Sequence, residues 1–366
     1  MNKEMEKHIH GGAPQHEFQR LGIPPHRIVD FSVNVSPLGP PRILFNNWNN
    51  LIGEVLAYPS VNGDGIAEYY VRRFGLEYET VLPGNGSTEC IYLVPRVLQL
   101  KKVAIITPSF HDYERSCRLC GADVSEIVLS GQNGFAEPDY DTLARNLENA
   151  DAVMLGNPNN PTNTMIPRES ILELSERFPD KYILVDEAFI QFLDDFKERS
   201  LLNPACIRKN ILVFHSLTKI YDIPGIRLGA VIGHPQTIEQ LKDHKEPWTV
   251  NGIAEKTAEM LIQCRDYESQ LRKLMRKERR RFVDKLGTLD GLRLFPSHTN
   301  YFLAHWQASD NLDDLLRILL SNGFLVRDCR NFRNLSDNYF RFAVRKAADN
   351  VELISLIKRA LKMAVK

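Results

Sequence analysis

The stretch HSLTKIYDIPGIRLG, residues 215–229, follows an apolar run, ILVF at 211–214, that is typical of a buried β-strand. It carries two hydroxyls, an amine and a guanidinium, from Ser216, Thr218, Lys219 and Arg227. Hydroxyl and guanidinium groups are common ligands of phosphate, and a lysine amine close to them can attack an aldehyde. A lysine after a strand is more often a solvated surface residue, so the chemistry of this stretch depends on what the rest of the chain places beside it.

The composition is that of an ordinary globular protein without a strong overall charge. Of 366 residues, 43% are hydrophobic and 25% are charged, which is enough for a large core and more than one domain. The 46 basic residues balance 46 acidic ones, so no overall field favours nucleic acid or a membrane surface as a partner. Recognition of a substrate is therefore expected to depend on local charge.

The N-terminal residues MNKEMEKHIHGG contain no apolar run of the kind found in a secretory signal, and no window reaches the ~18 apolar residues of a membrane helix. A cytoplasmic location is therefore expected. Of the six cysteines, only Cys117 and Cys120 have the spacing of a metal or redox pair. The sequence around them is amphipathic and there is no second pair, which favours one face of a helix, so no metal site is predicted.

Short apolar runs alternate with amphipathic segments through the middle of the chain. The predicted strands span 103–108, 124–129, 152–158, 182–189, 211–216 and 227–233. They are apolar throughout rather than alternating, as in strands that helices cover on both faces. This pattern predicts a doubly wound α/β sheet. A long charged helix is predicted over 269–287, followed by short strands and helices of a smaller α+β unit.

Four of the predicted strands end close to side chains with distinct chemistry, namely Phe110, Asn157, Asp186 and Lys219. Ligands of open α/β sheets bind at this edge of the sheet. Phe110 could stack on a flat ring, Asn157 could donate to a ring oxygen, and Asp186 could keep a ring nitrogen protonated. Together with a reactive lysine, these groups predict pyridoxal 5'-phosphate (PLP) as the cofactor. The segment GNGSTE, 84–89, joins a glycine turn to a predicted helix whose N-terminus could bind the cofactor phosphate.

Four motifs carry a resemblance that covers almost the whole chain: GNGSTE, NPNNPT (157–162), DEAFIQF (186–192) and SLTKIYDIPGIRLG. In order and spacing they resemble the fold-type I PLP enzymes of the histidinol-phosphate aminotransferase-like group. The resemblance implies a large doubly wound mixed-sheet domain, a smaller α+β domain and an extended N-terminal arm. The expected boundaries are 1–45 for the arm, packed with the small domain and the active site, 46–265 for the large PLP-binding domain and 266–366 for the small domain.

The resemblance also implies a role for each motif residue. Lys219 is the lysine that bonds to the cofactor, Asp186 is the partner of the ring nitrogen, and Asn157 contacts the cofactor oxygen. The residues expected around the cofactor phosphate are Gly86, Ser87, Thr88, Ser216, Thr218 and Arg227. Tyr58 is expected to reach the phosphate in the neighbouring subunit, which implies a homodimer with shared active sites.

Within this group, the N-terminal HGG, DFSVNVSPLG (30–39), PWTVN (247–251), FLVRDC (324–329) and YFRFAVR (339–345) most resemble the threonine-phosphate decarboxylase family of cobalamin biosynthesis. That family releases CO2 from L-threonine O-3-phosphate and leaves (R)-1-amino-2-propanol O-2-phosphate. The residues that the resemblance places near the substrate are His10, Gly11, Asn34, Asn157, Arg327 and Arg341. Arg341 matches the arginine of the α-carboxylate, and the division of the two substrate anions among His10, Arg327 and Arg341 stays open.

Two other functions are compatible with parts of the sequence. Histidinol-phosphate aminotransferase is the alternative enzyme, although Phe189 stands where aminotransferases typically have a tyrosine that hydrogen-bonds the cofactor oxygen. A PLP-fold regulator is the alternative of another class, but the first fifty residues contain no pattern of a helix-turn-helix. The sequence therefore favours a decarboxylase and leaves transamination open.

Overall fold

The computed structural model describes residues 28–364, and His10 and Gly11 lie outside this range. The strands are β1 (Val29–Asp30), β2 (Val81–Asn85), β3 (Lys102–Thr107), β4 (Asp123–Val128), β5 (Ala152–Gly156), β6 (Tyr182–Asp186), β7 (Ile211–Ser216), β8 (Leu228–Ile232), β9 (Leu292–Leu294), β10 (Tyr301–Trp306), β11 (Phe324–Leu325), β12 (Arg327–Asp328) and β13 (Tyr339–Ala343).

The helices are α1 (Arg42–Asn47), α2 (Asp64–Phe74), α3 (Ser87–Val97), α4 (Asp112–Leu119), α5 (Tyr140–Glu148), α6 (Arg168–Arg177), α7 (Phe196–Arg199), α8 (Leu217–Ile220), α9 (Pro235–Asp243), α10 (Gly252–Leu261), α11 (Arg265–Leu286), α12 (Leu312–Ser321) and α13 (Ala347–Ala364). A 3₁₀ segment, Trp48–Val55, follows α1.

The large sheet has seven strands in the order β2-β8-β7-β6-β5-β3-β4. Strand β8 is antiparallel to both of its neighbours, whereas the pairs from β7 to β4 are parallel. Every residue of β5, β7 and β8 is buried, as expected for strands between two layers of helices. The prediction of a doubly wound α/β fold with a mixed sheet is confirmed.

The register of this sheet brings several chain segments to one edge. Gly156 at the end of β5 pairs with Asp186 at the end of β6. Ser216 at the end of β7 pairs with Gly229 in β8, and Asn85 at the end of β2 pairs with Leu228. The residues that follow β2, β5, β6 and β7 and the residue that precedes β8 therefore lie at the same edge, where open α/β sheets bind ligands.

A smaller antiparallel sheet has the order β12-β13-β10-β9 and lies within residues 292–343, after the long helix α11. Arg327 in β12 is directly opposite Arg341 in β13. A separate parallel pair, β1 and β11, joins residues 29–30 to residues 324–325. The predicted domain boundaries at 45 and 265 stay a prediction.

Two minor sequence interpretations can be compared with the structure. The helix predicted over 269–287 is α11, Arg265–Leu286, which buries Leu271, Met275, Phe282 and Leu286 on one face and leaves Val283 half exposed. Cys117 is buried in α4, which ends just before Cys120. Within the described part of the chain, no cluster of three His, Cys, Asp or Glu could hold a metal ion, and none of its helices is long and apolar enough to cross a membrane.

One close backbone approach fixes the edge of the sheet. Gly229 lies so near the amide nitrogen of Ser87, the first residue of α3, that a Cβ atom at this position would overlap it. The same Cβ would also lie 2.9 Å from the carbonyl oxygen of His215. Both neighbours are backbone atoms and cannot rotate away, so only glycine permits this contact between β7, β8 and α3.

We expect Gly229→Ala to lower the free energy of unfolding by about 1–3 kcal/mol, because backbone must move to admit the methyl group. Urea unfolding followed by circular dichroism measures this change. Gly225→Ala is the matched control, since nothing lies within 4 Å of the Cβ position there. Equal midpoints for the two variants would contradict the close approach.

Candidate active site

A cavity of about 360 Å³ opens at the edge of the large sheet described above. It extends to the small sheet through β12 and β13. The predicted site residues that line it are Asn34, Ser87, Thr88, Phe110, Asp186, Ser216, Thr218, Lys219, Arg227, Arg327 and Arg341. Residues from the segment after β1 to β13 therefore meet in one cavity, although they are separated by as many as three hundred positions in the chain.

One end of the cavity has the features of an anion site. The N-terminus of α3 begins at Ser87, and its N-cap, Gly86, has a positive φ of 75° and no side chain to cap the helix. The guanidinium of Arg227 packs against Gly86 where a Cβ would be, so this glycine admits the arginine. The hydroxyls of Ser216 and Thr218 are 2.8 Å apart beside it. A free helix N-terminus, two hydroxyls and a guanidinium together suit a phosphate group.

Lys219 lies in α8, the single helical turn that follows β7. Burial and the positive charge of Arg227 lower the pKa of its amine to about 8, and Arg341 acts in the same direction although Asp186 opposes the shift. About a tenth of this amine is therefore neutral at pH 7. A neutral, buried amine is the form that attacks an aldehyde.

Asp186 is buried at the end of β6 and accepts two hydrogen bonds. The hydroxyl of Tyr113 donates to Oδ2 at 2.8 Å, and the amide of Ala188 donates to Oδ1 at 2.9 Å. Burial raises the pKa of the carboxyl group, while these two hydrogen bonds and Lys219 oppose that shift. The two donors fix the orientation of the carboxylate toward the cavity.

Tyr113 was not predicted as a site residue. It lies in the first turn of α4, three residues after Phe110, and the two rings are in edge contact with centroids 5.6 Å apart. Phe110 precedes α4, which begins at Asp112, so helix periodicity in the sequence does not link the two rings. His111, Asp112 and Phe332 also line the cavity and were not predicted.

The structure corrects the prediction for Asn157, which was expected to contact the cofactor and the substrate. Its amide is fully buried and closes the loop to Ile166, because Nδ2 donates to the Ile166 carbonyl at 3.0 Å and Oδ1 accepts from the Ile166 amide at 2.9 Å. Asn160, three residues later in the same motif, lines the cavity instead and accepts a hydrogen bond from Arg341. Asn160 is therefore the amide available to a ligand.

Arg341 is a buried cation held by three contacts. Its Nη2 donates to the carbonyl of Ser32 at 2.7 Å, its Nη1 donates to Asn160, and the guanidinium carbon is 5.5 Å from the centroid of the Tyr301 ring. Burial lowers its pKa to about 10. The contacts fix the guanidinium plane, which is a requirement for binding a carboxylate through two nitrogens.

Arg327, opposite Arg341 in register, is also buried. It donates to the carbonyl of Asp328 at 2.6 Å and to Oδ1 of Asn331 at 2.7 Å, and it lies over the ring of Phe332. Within residues 28–364, neither arginine forms an ion pair with a carboxylate. Buried cations without a carboxylate are costly unless a ligand supplies the negative charge.

Of three other residues named from the sequence, Asn34 and Phe189 line the cavity and Tyr58 does not. Asn34 is buried and lines the cavity, and its Oδ1 has no hydrogen-bond partner among the described residues. Phe189, also at the cavity, packs its ring edge against Tyr301 with centroids 5.0 Å apart. Tyr58 lies outside the cavity, 85% exposed, with its ring centroid 5.4 Å from that of Trp248. Its contact with a neighbouring subunit stays a prediction.

The side chains of the cavity fit PLP. An anion site is present at Gly86 and Arg227 for the phosphate, and a partly neutral amine at Lys219 for the aldehyde. A fixed carboxylate at Asp186 suits a protonated ring nitrogen, and Phe110 supplies a flat ring. By keeping the ring nitrogen protonated, the Asp186 carboxylate would let the bound ring accept electrons.

Residues 28–357 match the family described as aminotransferase class I and II. The chain is 30% identical over 359 residues to the threonine-phosphate decarboxylase of Salmonella typhimurium, with 96% of each chain covered. Two crystal structures are similar. The histidinol-phosphate aminotransferase from Clostridium acetobutylicum has a TM-score of 0.83 at 27% identity, covering 91% of this chain and 99% of that one. The L-threonine-O-3-phosphate decarboxylase from Porphyromonas gingivalis has a TM-score of 0.81 at 26% identity, covering 92% and 100%.

We expect the rate at which PLP loads the cofactor-free protein to rise about tenfold per pH unit below pH 8 and to level off above it, because only neutral Lys219 attacks the aldehyde. Stopped-flow absorbance measures this rate. The reaction of PLP with Nα-acetyllysine, measured in parallel, corrects for the titration of PLP itself, and Lys219→Ala gives the signal without a covalent bond. A rate that climbs steadily to pH 10 would contradict a lowered pKa.

Proposed function

The chain belongs to the aminotransferase class I and II family, and from that premise we propose that it is a PLP-dependent decarboxylase of L-threonine O-3-phosphate. The products are CO2 and (R)-1-amino-2-propanol O-2-phosphate, a building block of cobalamin. Similarity to the Salmonella typhimurium and Porphyromonas gingivalis decarboxylases over more than 90% of this chain supports the proposal. The proposed location is the cytoplasm.

The observation that carries the proposal is the pair of buried arginines, Arg327 and Arg341, opposite each other in β12 and β13. Two cations a strand apart, without a carboxylate partner in the described chain, suit one small ligand that carries two anionic groups. Threonine phosphate has a phosphate and a carboxylate on a four-carbon body. Histidinol phosphate has a phosphate but no carboxylate, so it would leave one of the two arginines unpaired.

The chain holds the cofactor through the groups that line the anion site. Ser87, Thr88 and Arg227 would hold its phosphate, while Asp186 would keep a proton on the ring nitrogen. Asn160, rather than Asn157, would supply the amide near the ring oxygen. When bound, PLP supplies an electron sink for the electron pair that remains after a bond to the substrate α-carbon breaks.

The arginines decide which bond is broken. We propose that Arg327 and the buried Asn34 hold the substrate phosphate, and that Arg341, with its guanidinium plane fixed by Ser32 and Asn160, orients the carboxylate. Contacts to the phosphate would leave the carboxylate less restrained, which would favour loss of CO2 over loss of a proton. Lys219 Nζ would hold the proton that the α-carbon then needs.

Phe189 is consistent with this division. Phe189 lies in the cavity wall beside Tyr301 and has no hydroxyl to donate to the cofactor. The ring oxygen would therefore accept from Asn160 without a second donor at position 189. An aminotransferase that acts on histidinol phosphate needs room for an imidazole as well. Transamination of histidinol phosphate therefore remains the second candidate reaction.

We expect the PLP-loaded protein to release CO2 from L-threonine O-3-phosphate, measured by a coupled carbonate assay. Arg327→Gln should lower kcat/KM by about 10²–10³-fold, because it leaves a ligand anion without its buried partner. Arg330→Gln is the matched control, since Arg330 lies three residues away and its guanidinium binds Asp313 and Asp328 outside the cavity. It should change kcat/KM less than twofold. Absence of CO2 together with amino transfer from histidinol phosphate would overturn the decarboxylase proposal.

We also propose a homodimer with shared sites, supported by an exposed apolar surface. The large apolar side chains exposed on it are Phe45, Trp48, Ile52, Val55, Leu56, Tyr58 and Trp248. Six of them lie within fourteen consecutive residues, and contiguous exposed apolar surface marks interfaces. A second copy of the chain would cover this surface and place Tyr58 at the cofactor phosphate of its partner.

Mixing two variants tests the shared site. Lys219→Ala protein is expected to be inactive, and Tyr58→Ala protein to bind PLP weakly. In a mixture, hybrid dimers contain one site with both Lys219 and Tyr58, so activity should exceed that of either variant alone. Sedimentation equilibrium should give twice the chain mass of 41.9 kDa. A monomer mass, or a mixture no more active than its parts, would contradict the proposal.

A further inference from the structure

A second cavity, of about 400 Å³, lies away from the candidate active site, between the end of α2, α7 with the loop after it, and the start of α11. Four cationic side chains line it, Arg73, Lys197, Arg265 and Arg272. The only carboxylate in its lining is Glu268, so the described lining has a formal excess of three positive charges. A concave surface with one sign of charge concentrates the electric field.

The cations differ in how far their charge is already neutralised. Arg73 is nearly buried and binds both oxygens of Glu268 at 2.7 Å, so this pair is complete. Arg272 lies 3.9 Å from Glu268, whose two oxygens already bind Arg73. Lys197 and Arg265 are exposed and form no ion pair with any residue in the described part of the chain. Lys197 and Arg265 are therefore unpaired in the described chain, and the charge of Arg272 is only partly neutralised.

Two further features of the cavity describe that ligand. Phe74, Phe196 and Leu202 form an apolar part of the lining, and the guanidinium of Arg272 lies over the Phe196 ring at 5.3 Å. The 22-residue helix α11 begins at Arg265 and has no side-chain cap, so its positive end adds to the field of the cations. The site thus combines excess positive charge with apolar surface.

We propose that this second cavity binds a small phosphorylated molecule with an apolar body. The phosphate dianion would be held by Lys197, Arg265 and Arg272, and the apolar body would pack on Phe74 and Phe196. Guanidinium groups bind phosphate through paired nitrogens, which favours a phosphate over a single carboxylate against this excess of charge. The proposal is independent of the reaction assigned to the active site.

Hydrogen bonds connect the floor of the second cavity to the segment that carries Lys219. Glu268 accepts from the hydroxyl of Tyr221, two residues after Lys219. Next to Glu268, Tyr267 donates to the hydroxyl of Ser36 at 2.7 Å, and the amide of Ser36 donates to the carbonyl of Lys219 at 2.9 Å. A ligand that shifts the first turn of α11 would therefore change the position of Lys219.

Calorimetric titration of the PLP-loaded protein with phenyl phosphate tests the site. The double variant Lys197→Gln/Arg265→Gln should bind at least tenfold more weakly than the wild type. Arg280→Gln/Lys285→Gln, which removes the same charge from the other end of α11, should bind within twofold of the wild type. Because both substituted pairs include only exposed side chains, all proteins are expected to fold. Equal binding by the two double variants would overturn the proposal.

Two further probes and one further protein distinguish binding in the second cavity from binding elsewhere on the molecule. Phenol lacks the anion and should not bind measurably, and inorganic phosphate lacks the apolar body and should bind more weakly than phenyl phosphate. Arg327→Gln protein, in which the catalytic cavity loses an anion ligand, should retain the titration. Loss of binding in Arg327→Gln, or equal binding of phenol, would assign the signal elsewhere and overturn the proposal.

The connection to Lys219 has its own measurement. Saturating phenyl phosphate should shift the visible absorbance of the lysine-bound cofactor in the wild type and leave it unchanged in Lys197→Gln/Arg265→Gln. The spectrum reports the surroundings of Lys219 whether or not the protein decarboxylates threonine phosphate. A bound probe without any spectral shift would overturn the coupling between the second cavity and the active site.

Discussion

The candidate active site depends on the contact between Gly229 and Ser87. Strand β8 runs against both of its neighbours, and at Gly229 its backbone is too close to α3 for any side chain. This approach places the helix N-terminus beside the end of β7, so that the anion site and Lys219 share one corner of the sheet. Arg227, just before β8, then has space only because Gly86 also lacks a Cβ.

The positive charges at this corner have two effects, one on the pKa of Lys219 and one on the stability of the protein. The cations Arg227 and Arg341, together with burial, lower the pKa of Lys219, which favours a reactive amine at the expense of a charged one. Arg341 and Arg327 are also buried and lack carboxylate partners in the described chain, which reduces the stability of the ligand-free protein. Such unbalanced buried charge is expected where a ligand completes the site, and here cofactor and substrate anions would supply the balance.

Sequence reasoning identified the sheet, the cavity edge and most of its lining, because strand periodicity and strand ends are local signals. It failed where the orientation of a side chain depends on distant contacts. The motif at 157–162 offers three asparagines, and only the closure of the loop by Ile166 turns Asn157 inward and leaves Asn160 exposed to the cavity. The second cavity was also hidden, because Arg73, Lys197 and Arg265 are far apart in the chain.

In the proposed function, the choice between reactions would depend on residues outside the lysine segment. Residues 32–36 contact both halves of the cavity, since the carbonyl of Ser32 accepts from Arg341 and the amide of Ser36 donates to the Lys219 carbonyl. The parallel pair of β1 and β11 fixes the start of this segment against the small sheet. Residues 32–36 therefore connect Arg341 to Lys219 through backbone hydrogen bonds. Because bond cleavage depends on the angle of the carboxylate to the ring, this segment is where decarboxylation and transamination would diverge.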